Sequence, residues 1–360
     1  MSSALADWLD GVPEEAVLDP DLPIVDAHHH LWPAATRQLT ELHIESYGNN
    51  TTLNEQYLGA EFRADWGKHN VIASVYVECG SFYDGGDTPR HLRSVGETRA
   101  VEALAADNKI AGILADVDLT LPRAQLEEAL DAHAAASPTR FKGVRSKATS
   151  DEDHGILSHA LPRNGRHGIP RDFCNSPDFR RGAKVLADRG LVLDVYLFFH
   201  QIPFLAELAR STPSLTIVLD HCGAPLGIRA YKDQKEQVAK DWSKAVRELA
   251  TCPNVCVKLG GLGMPLTGIT VTDQSSRPHN SEELADALFP WYKTLLDAFG
   301  PDRCILESNF PMDKVTSSYH TLWNANKRIA DRAKLSPQDK SKIFSGTATR
   351  VYQLGASSKM

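Results

Sequence analysis

The chain has 360 residues, 42% hydrophobic and 24% charged, a balance that supports a sizeable core and excludes disordered, collagen-like and coiled-coil polymers. Lys and Arg number 39 against 46 Asp and Glu, a net charge of −7, so no phosphate-neutralising surface spans the molecule and nucleic acid is excluded as a partner. No apolar run approaches the ~20 residues of a membrane span, and the N-terminus carries no basic, apolar leader; the expectation is a cytoplasmic chain with no membrane partner.

Residues 1–22, acidic and Pro-bearing, read as an N-terminal arm on the outside of the fold or on a neighbouring subunit. Its Trp8, Leu9 and Val12 point to a homodimer. Residues 23–360 read as one domain. Within it, eight short β-type runs succeed one another: Ile24–His30, Val71–Glu78, Ile110–Asp118, Phe141–Arg145, Leu191–Phe198, Leu215–His221, Val255–Leu259 and Cys304–Ser308. Helical spacing fills most of the intervals, as in ETRAVEALAADN, RAQLEEALDAHAA, SPDFRRGAKVLADRG, FLAELARS, EQVAKDWSKAVRELA and EELADALFPWYKTLLDAFG. Ser176 before Pro177 reads as an N-cap, and Gly190 and Gly300 as C-terminal caps. Two closing helices are expected over Ser317–Ala330 and Pro337–Leu354.

Eight strand–helix repeats, with apolar strands that need cover on both faces, predict an α/β fold of the (β/α)₈ barrel type. An open doubly wound sheet is the rival, and the glycine-rich turn it needs after the first strand is absent. Long segments at 31–54, 146–175 and 260–280 follow strands 1, 4 and 7 and so emerge at the C-terminal mouth, where they are expected to act as lids over a pocket. The six cysteines match no zinc or redox spacing and read as reduced, mostly buried thiols.

The sharpest chemical signal is Asp26-Ala27-His28-His29-His30. Alternation along a strand turns His28 and His30 to one face, into the barrel, and His29 to the other. Two imidazoles one step apart can share a single ion, and they fall at the strand end where barrel active sites lie. The other strand ends bring Glu78, Asp118, Arg145, His200 just past the fifth strand, His221, Lys258, Glu307 and Asn309. Each alone could be a cap or a salt bridge; together at one rim they predict a reactive centre.

Those residues resemble the amidohydrolase-related branch of the metal-dependent hydrolases, in DAHHHLW (26–32), KGVR (142–145), Gln201-Ile202-Pro203, LDHCGAP (219–225), VKLGG (257–261) and ESNFPMD (307–313). The likeness runs over about 23–354. It implies one divalent metal, with zinc the expected ion, on His28, His30 and a further histidine after the fifth strand, which His200 fits loosely; Asp194 and Tyr196 share its face. His221 resembles the family's sixth-strand histidine, close to the metal or acting as a proton donor or polarising group. Where the family reads Ser-Asp-Trp-Pro this chain has Ser308-Asn309-Phe310-Pro311. An amide cannot take a proton from water, so either Glu307 or Asp313 supplies the missing carboxylate, or Asn309 orients a water or substrate oxygen and metal binding is weakened.

The resulting expectation is a hydrolase that opens a small lactone or cyclic ester, often carboxylate-bearing, by attack of water on a polarised carbonyl. His221, Glu307 and Asn309 are the candidate catalytic residues, and Glu78, Arg145, Tyr196 and Lys258 the candidates for holding the small-molecule substrate. The alternative is non-oxidative decarboxylation of an unsaturated or aromatic carboxylate on the same scaffold.

Overall fold

A computed structural model describes residues 3–34, 45–47, 54–152, 156, 170–270 and 277–355. Eight parallel strands run in sequence order, each hydrogen-bonded to the next: β1 (Ile24–His29), β2 (Val71–Val77), β3 (Ile110–Ala115), β4 (Phe141–Lys147), β5 (Val192–Tyr196), β6 (Ile217–Leu219), β7 (Val255–Leu259) and β8 (Cys304–Leu306). The circle closes where His29 bridges Phe310 in parallel and the His30 amide donates to the Phe310 carbonyl at 2.8 Å. This is the (β/α)₈ architecture. Short helix α1 (Ser3–Leu9) precedes the barrel. The shell comprises α2 (Gly59–Trp66), α3 (Val95–Ala105), α4 (Arg123–Ala136), α5 (Pro177–Asp188), α6 (Ile202–Ser211), α7 (Lys235–Leu249), α8 (Ser281–Phe299) and α9 (Tyr319–Arg332).

Local chemistry accounts for most of the boundaries. The Ser176 hydroxyl accepts from the Phe179 amide ahead of Pro177, and Asn280 caps α8 through the amides of Glu282 and Glu283. Gly300 ends α8 at φ +73°, a conformation that costs a side-chain-bearing residue energy. Helix α2, absent from the expectation, starts at Leu58, which has no capping oxygen; Glu61 reaches back to the Leu58 amide at 2.9 Å instead. The expected single helix over Pro337–Leu354 is broken into α10 (Pro337–Ser341), a π turn over Lys342–Gly346 and α11 (Thr347–Val351).

Two apolar assemblies hold the barrel. The larger lies between the strands and the helical shell. The smaller fills the barrel interior with Val25, Ala27, Val75, Val77, Leu114, Val192, Val218, Cys256 and Ile305, and Tyr352 closes it from beyond α11. The chain before β1 runs along α9: Asn324 takes the Leu18 amide and gives to the Ala16 carbonyl, and Arg328 pairs with Glu15 at 3.1 Å. Leu9 is buried in its own chain. The six cysteines are free thiols, five of them buried. Parts of the three expected lid segments, 35–44, 48–53, 153–155, 157–169 and 271–276, lie outside the described residues. Among those described, no helix is long and apolar enough to cross a membrane.

Candidate active site

Strand alternation builds the floor of the site directly above the inner apolar cluster. Two residues beyond Val192, Val218, Cys256 and Ile305 come Asp194, Asp220, Lys258 and Glu307, each fully buried. Strand β4 adds Arg145 and Lys147.

Strand β1 reaches the same level by an irregularity. Asp26 pairs with Ser74 and His29 with Tyr76, three residues of β1 against two of β2, the signature of a β-bulge. Ala27 stays in the inner apolar cluster, and His28 and His30 still converge, Nε2 to Nε2 at 3.2 Å. His29 turns outward and stacks on Phe62 with ring centroids 4.0 Å apart. Asp26 also faces away from the site, accepting from the Ser308 hydroxyl at 2.6 Å and the Ser308 amide at 2.9 Å.

His221 follows a different rule. The chain turns left-handed at His221 (φ +52°) and Cys222 (φ +56°), so Asp220 and His221, neighbours in sequence, both enter the site. His221 Nδ1 lies 2.8 Å from Glu307 Oε1, and a carboxylate can only accept, so the ring donates there and, in the neutral imidazole, the lone pair is on Nε2. Arg145 Nη2 stands 3.5 Å from that nitrogen. The backbone after β7 makes the room: a Cβ on Gly260 would lie 2.2 Å from Glu307 Cγ, and one on Gly261 would lie 2.3 Å from His221 Nδ1.

Charges in this cluster are closely paired. Arg145 bonds Asp220 at 3.1 Å and Glu78 at 3.3 Å, and its guanidinium lies 5.0 Å from the Tyr196 ring centre; Lys147 takes the other Glu78 oxygen at 2.8 Å. Lys258 donates to Asp194 at 2.7 Å and lies 3.1 Å from Asp220. Burial alone would raise Asp220, yet Lys258 and Arg145 outweigh it and hold the carboxyl below its usual range. Burial prevails at Asp194, pushed up to about 7 against the pull of Lys258. Burial, followed by the Lys258 charge, drives His28 well below the usual imidazole value, and burial takes His30 down to about 3. Both rings are therefore neutral near pH 7.

A family model described as amidohydrolase matches residues 25–354. The chain belongs to the amidohydrolase family. This amidohydrolase is 30% identical over 339 residues to the uncharacterized protein y4mH of Sinorhizobium fredii, covering 93% of the chain and 99% of the relative. It is 29% identical over 282 residues to an L-fucono-1,5-lactonase of Burkholderia multivorans, covering 73% and 83% respectively. The crystal structure of a Burkholderia multivorans amidohydrolase with bound zinc matches it with a TM-score of 0.66 at 25% identity, over 92% of this chain and 99% of that one.

The geometry of this amidohydrolase fits a divalent cation. His30 Nδ1 lies 2.8 Å from the Val77 carbonyl, which fixes its proton there and leaves Nε2 bare toward His28. The two Nε2 atoms, 3.2 Å apart, are close enough that both could hold one divalent ion. His28, Asp220 and His221 also each bring one ligand atom within 4.8 Å of the others.

The expected residues divide by position. His28, His30, Glu78, Arg145, Tyr196, His221, Lys258 and Glu307 come together. His200 does not join them: its Nε2 is 2.7 Å from Asp151 and its Nδ1 accepts from Arg171 at 3.0 Å, so both ring nitrogens are engaged by the β4 loop. Asp118 accepts from the Thr120 amide and hydroxyl. Lys258 lies beneath the site, its donors turned to Asp194, Asp220 and His28 rather than toward a substrate. Asn309, at φ +54°, gives its amide nitrogen to Asp313 at 2.8 Å, and its Oδ1 has no hydrogen-bond partner among the described residues. Sequence reasoning passed over Asp220 and Lys147; LDHCGAP contained the first, and continued alternation from Arg145 would have given the second.

Proposed function

We propose that this amidohydrolase hydrolyses a neutral, polyhydroxylated lactone. The observation that carries the reading is the Glu307–His221–Arg145 line: a carboxylate fixes the imidazole so that Nε2 faces a guanidinium across 3.5 Å. That is a base with its orienting group next to a charge that can hold an oxyanion. Support comes from curated relatives named as L-fucono-1,5-lactonases and an L-rhamnono-gamma-lactonase, at 22–29% identity.

In this reading His221 Nε2 takes a proton from water as its oxygen bonds to the lactone carbonyl carbon. Arg145, over Tyr196, holds the developing oxyanion. The ring C–O bond then breaks, and His221 returns the proton to the departing ring oxygen, so one water is consumed and a hydroxy acid is released. Asn309 Oδ1 offers an acceptor to the water or to a substrate hydroxyl. His28 and His30 would hold a divalent metal, which when bound supplies polarisation of the carbonyl and a more acidic water.

Neutral substrates are favoured by the charge balance. Arg145 already serves Asp220 and Glu78 through Nε and Nη1, and Lys147 serves Glu78, so a substrate carboxylate would have to share cations that are already paired. The test is an assay of purified protein against L-fucono-1,5-lactone, L-rhamnono-gamma-lactone, a dicarboxylate pyrone lactone and an aromatic carboxylate, read as acid release, with CO₂ measured in parallel. Turnover of the sugar lactones with loss in the His221→Ala variant is the expected result. CO₂ release from an aromatic carboxylate, without lactone opening, would establish decarboxylation instead.

A further inference from the structure

His28 Nδ1 stands between two opposed neighbours, Lys258 Nζ at 3.0 Å and Glu307 Oε2 at 3.0 Å. An ammonium only donates and a carboxylate only accepts, so each neighbour calls for a different tautomer of the ring. Directionality decides between them. Lys258 makes a hydrogen bond to Nδ1, whereas Glu307 Oε2 has no hydrogen-bond partner among the described residues. With Nδ1 accepting, the proton of the neutral ring is on Nε2. It then points at His30 Nε2, 3.2 Å away, and His30 in turn donates from Nδ1 to the Val77 carbonyl at 2.8 Å. Lys258 Nζ also pairs with the carboxylates of Asp194 at 2.7 Å and Asp220 at 3.1 Å. Every donor in the line Lys258 → His28 → His30 → Val77 has an acceptor, and His28 Nε2 has no lone pair free for a metal.

We infer that Lys258 is a positioning residue that sets the metal affinity of the His28–His30 pair by holding His28 as its Nε2–H tautomer. Metal uptake then requires the ring to exchange one N–H for the other. The Lys258 hydrogen bond breaks, Nε2 becomes a ligand, and the new Nδ1–H faces Glu307 Oε2, 3.0 Å away, which must turn into line to accept it. His28 loses no proton overall. A hydrogen bond to a charged group is a sufficient handicap to lower affinity about tenfold to a hundredfold.

The inference rests on the reading of His28 and His30 as metal ligands and not on the lactone. Metal-stripped full-length protein, ¹⁵N-labelled in histidine, is examined by two-bond proton–nitrogen spectra before and after zinc, and zinc affinity is measured by competition with a chromophoric chelator. His28 should show the Nε2–H pattern without metal and the Nδ1–H pattern with zinc. Lys258→Met paired with Asp194→Asn, which removes cation and carboxylate together, should bind zinc about ten to a hundred times more tightly. Lys258→Arg, which keeps a donor, should stay near the parent. An Nδ1–H pattern in the metal-stripped parent overturns the inference, and so does a paired variant whose zinc affinity is unchanged or lower. The spectra of the parent decide the matter even where the paired variant fails to fold. If His28→Ala binds zinc as tightly as the parent, the metal reading itself fails and takes the inference with it.

Discussion

The interior of the barrel holds two adjacent levels made by the same strands with opposite chemistry. At the lower level Val192, Val218, Cys256 and Ile305 form an apolar packing beneath the site. Two residues further along each strand, Asp194, Asp220, Lys258 and Glu307 form a buried ionic network. One step of about 6.6 Å along the strands separates a level that contributes stability from one that carries reactivity. Burial of the upper level is tolerable because each charge has a partner: replacing one member strands another, whereas thinning the lower level only leaves a void.

This contrast can be broken from the upper side first. His221→Ala should lower lactone kcat/KM by about 10²–10⁴-fold, as removal of a general base predicts, and should also lower the thermal transition, because it takes from buried Glu307 the imidazole that Oε1 accepts from. Arg145→Met should damage both properties, because it leaves Asp220 and Glu78 buried without their guanidinium; a loss of about 3–5 kcal/mol in denaturant unfolding is expected alongside the loss of activity. At the lower level, Ile305→Ala should cost about 2–5 kcal/mol of stability with kcat preserved in the folded fraction, measured by denaturation and active-site-normalised kinetics. A spectator group calibrates acid sensitivity. His133, buried between Ser94 and Thr98, is lowered to about 4 by burial. Below pH ~6.5 the unfolded chain takes up a proton there that the folded chain refuses, so stability should fall from pH ~6.5 to ~4 and then level off. His133→Gln should flatten that part of the profile. The smallest change is Gly261→Ala. Its φ of +68° and the 2.3 Å approach to His221 Nδ1 predict about 1–3 kcal/mol of strain and a larger proportional loss of kcat than of stability.

The barrel was legible because eight apolar runs recur with helical intervals, and Val255–Leu259 keeps its expected bounds. Strand β6 is shorter than its apolar run at both ends and β8 at its end, although the Asp220 and Glu307 amides still donate to the Val195 and Leu259 carbonyls while their side chains enter the site. Helix α2 escaped notice since its N-cap is a leucine and its capping group sits three residues inside. The His28–His30 pair was legible by alternation, although it reaches the site through a bulge that alternation does not foresee. Asp220 was hidden by the same rule, which places neighbours on opposite faces; only the left-handed backbone at His221 brings both inward. His200 looked available because Asp151 and Arg171, its two partners, stand 49 and 29 residues away in the chain.

The seam between the first and last strands has a further consequence for how activity arises. Where the ring joins, the Asn309 amide donates to the His28 carbonyl at 2.9 Å, the His30 amide to Phe310, and Ser308 to Asp26. Residues that fasten the circle thus alternate with those that perform chemistry. A folding intermediate complete through β7 would present both imidazoles of β1 without Glu307, and so without the group that orients His221. Competence should therefore appear in one step with the final strand, and a fragment ending before residue 304 should stay inert however much of its secondary structure persists.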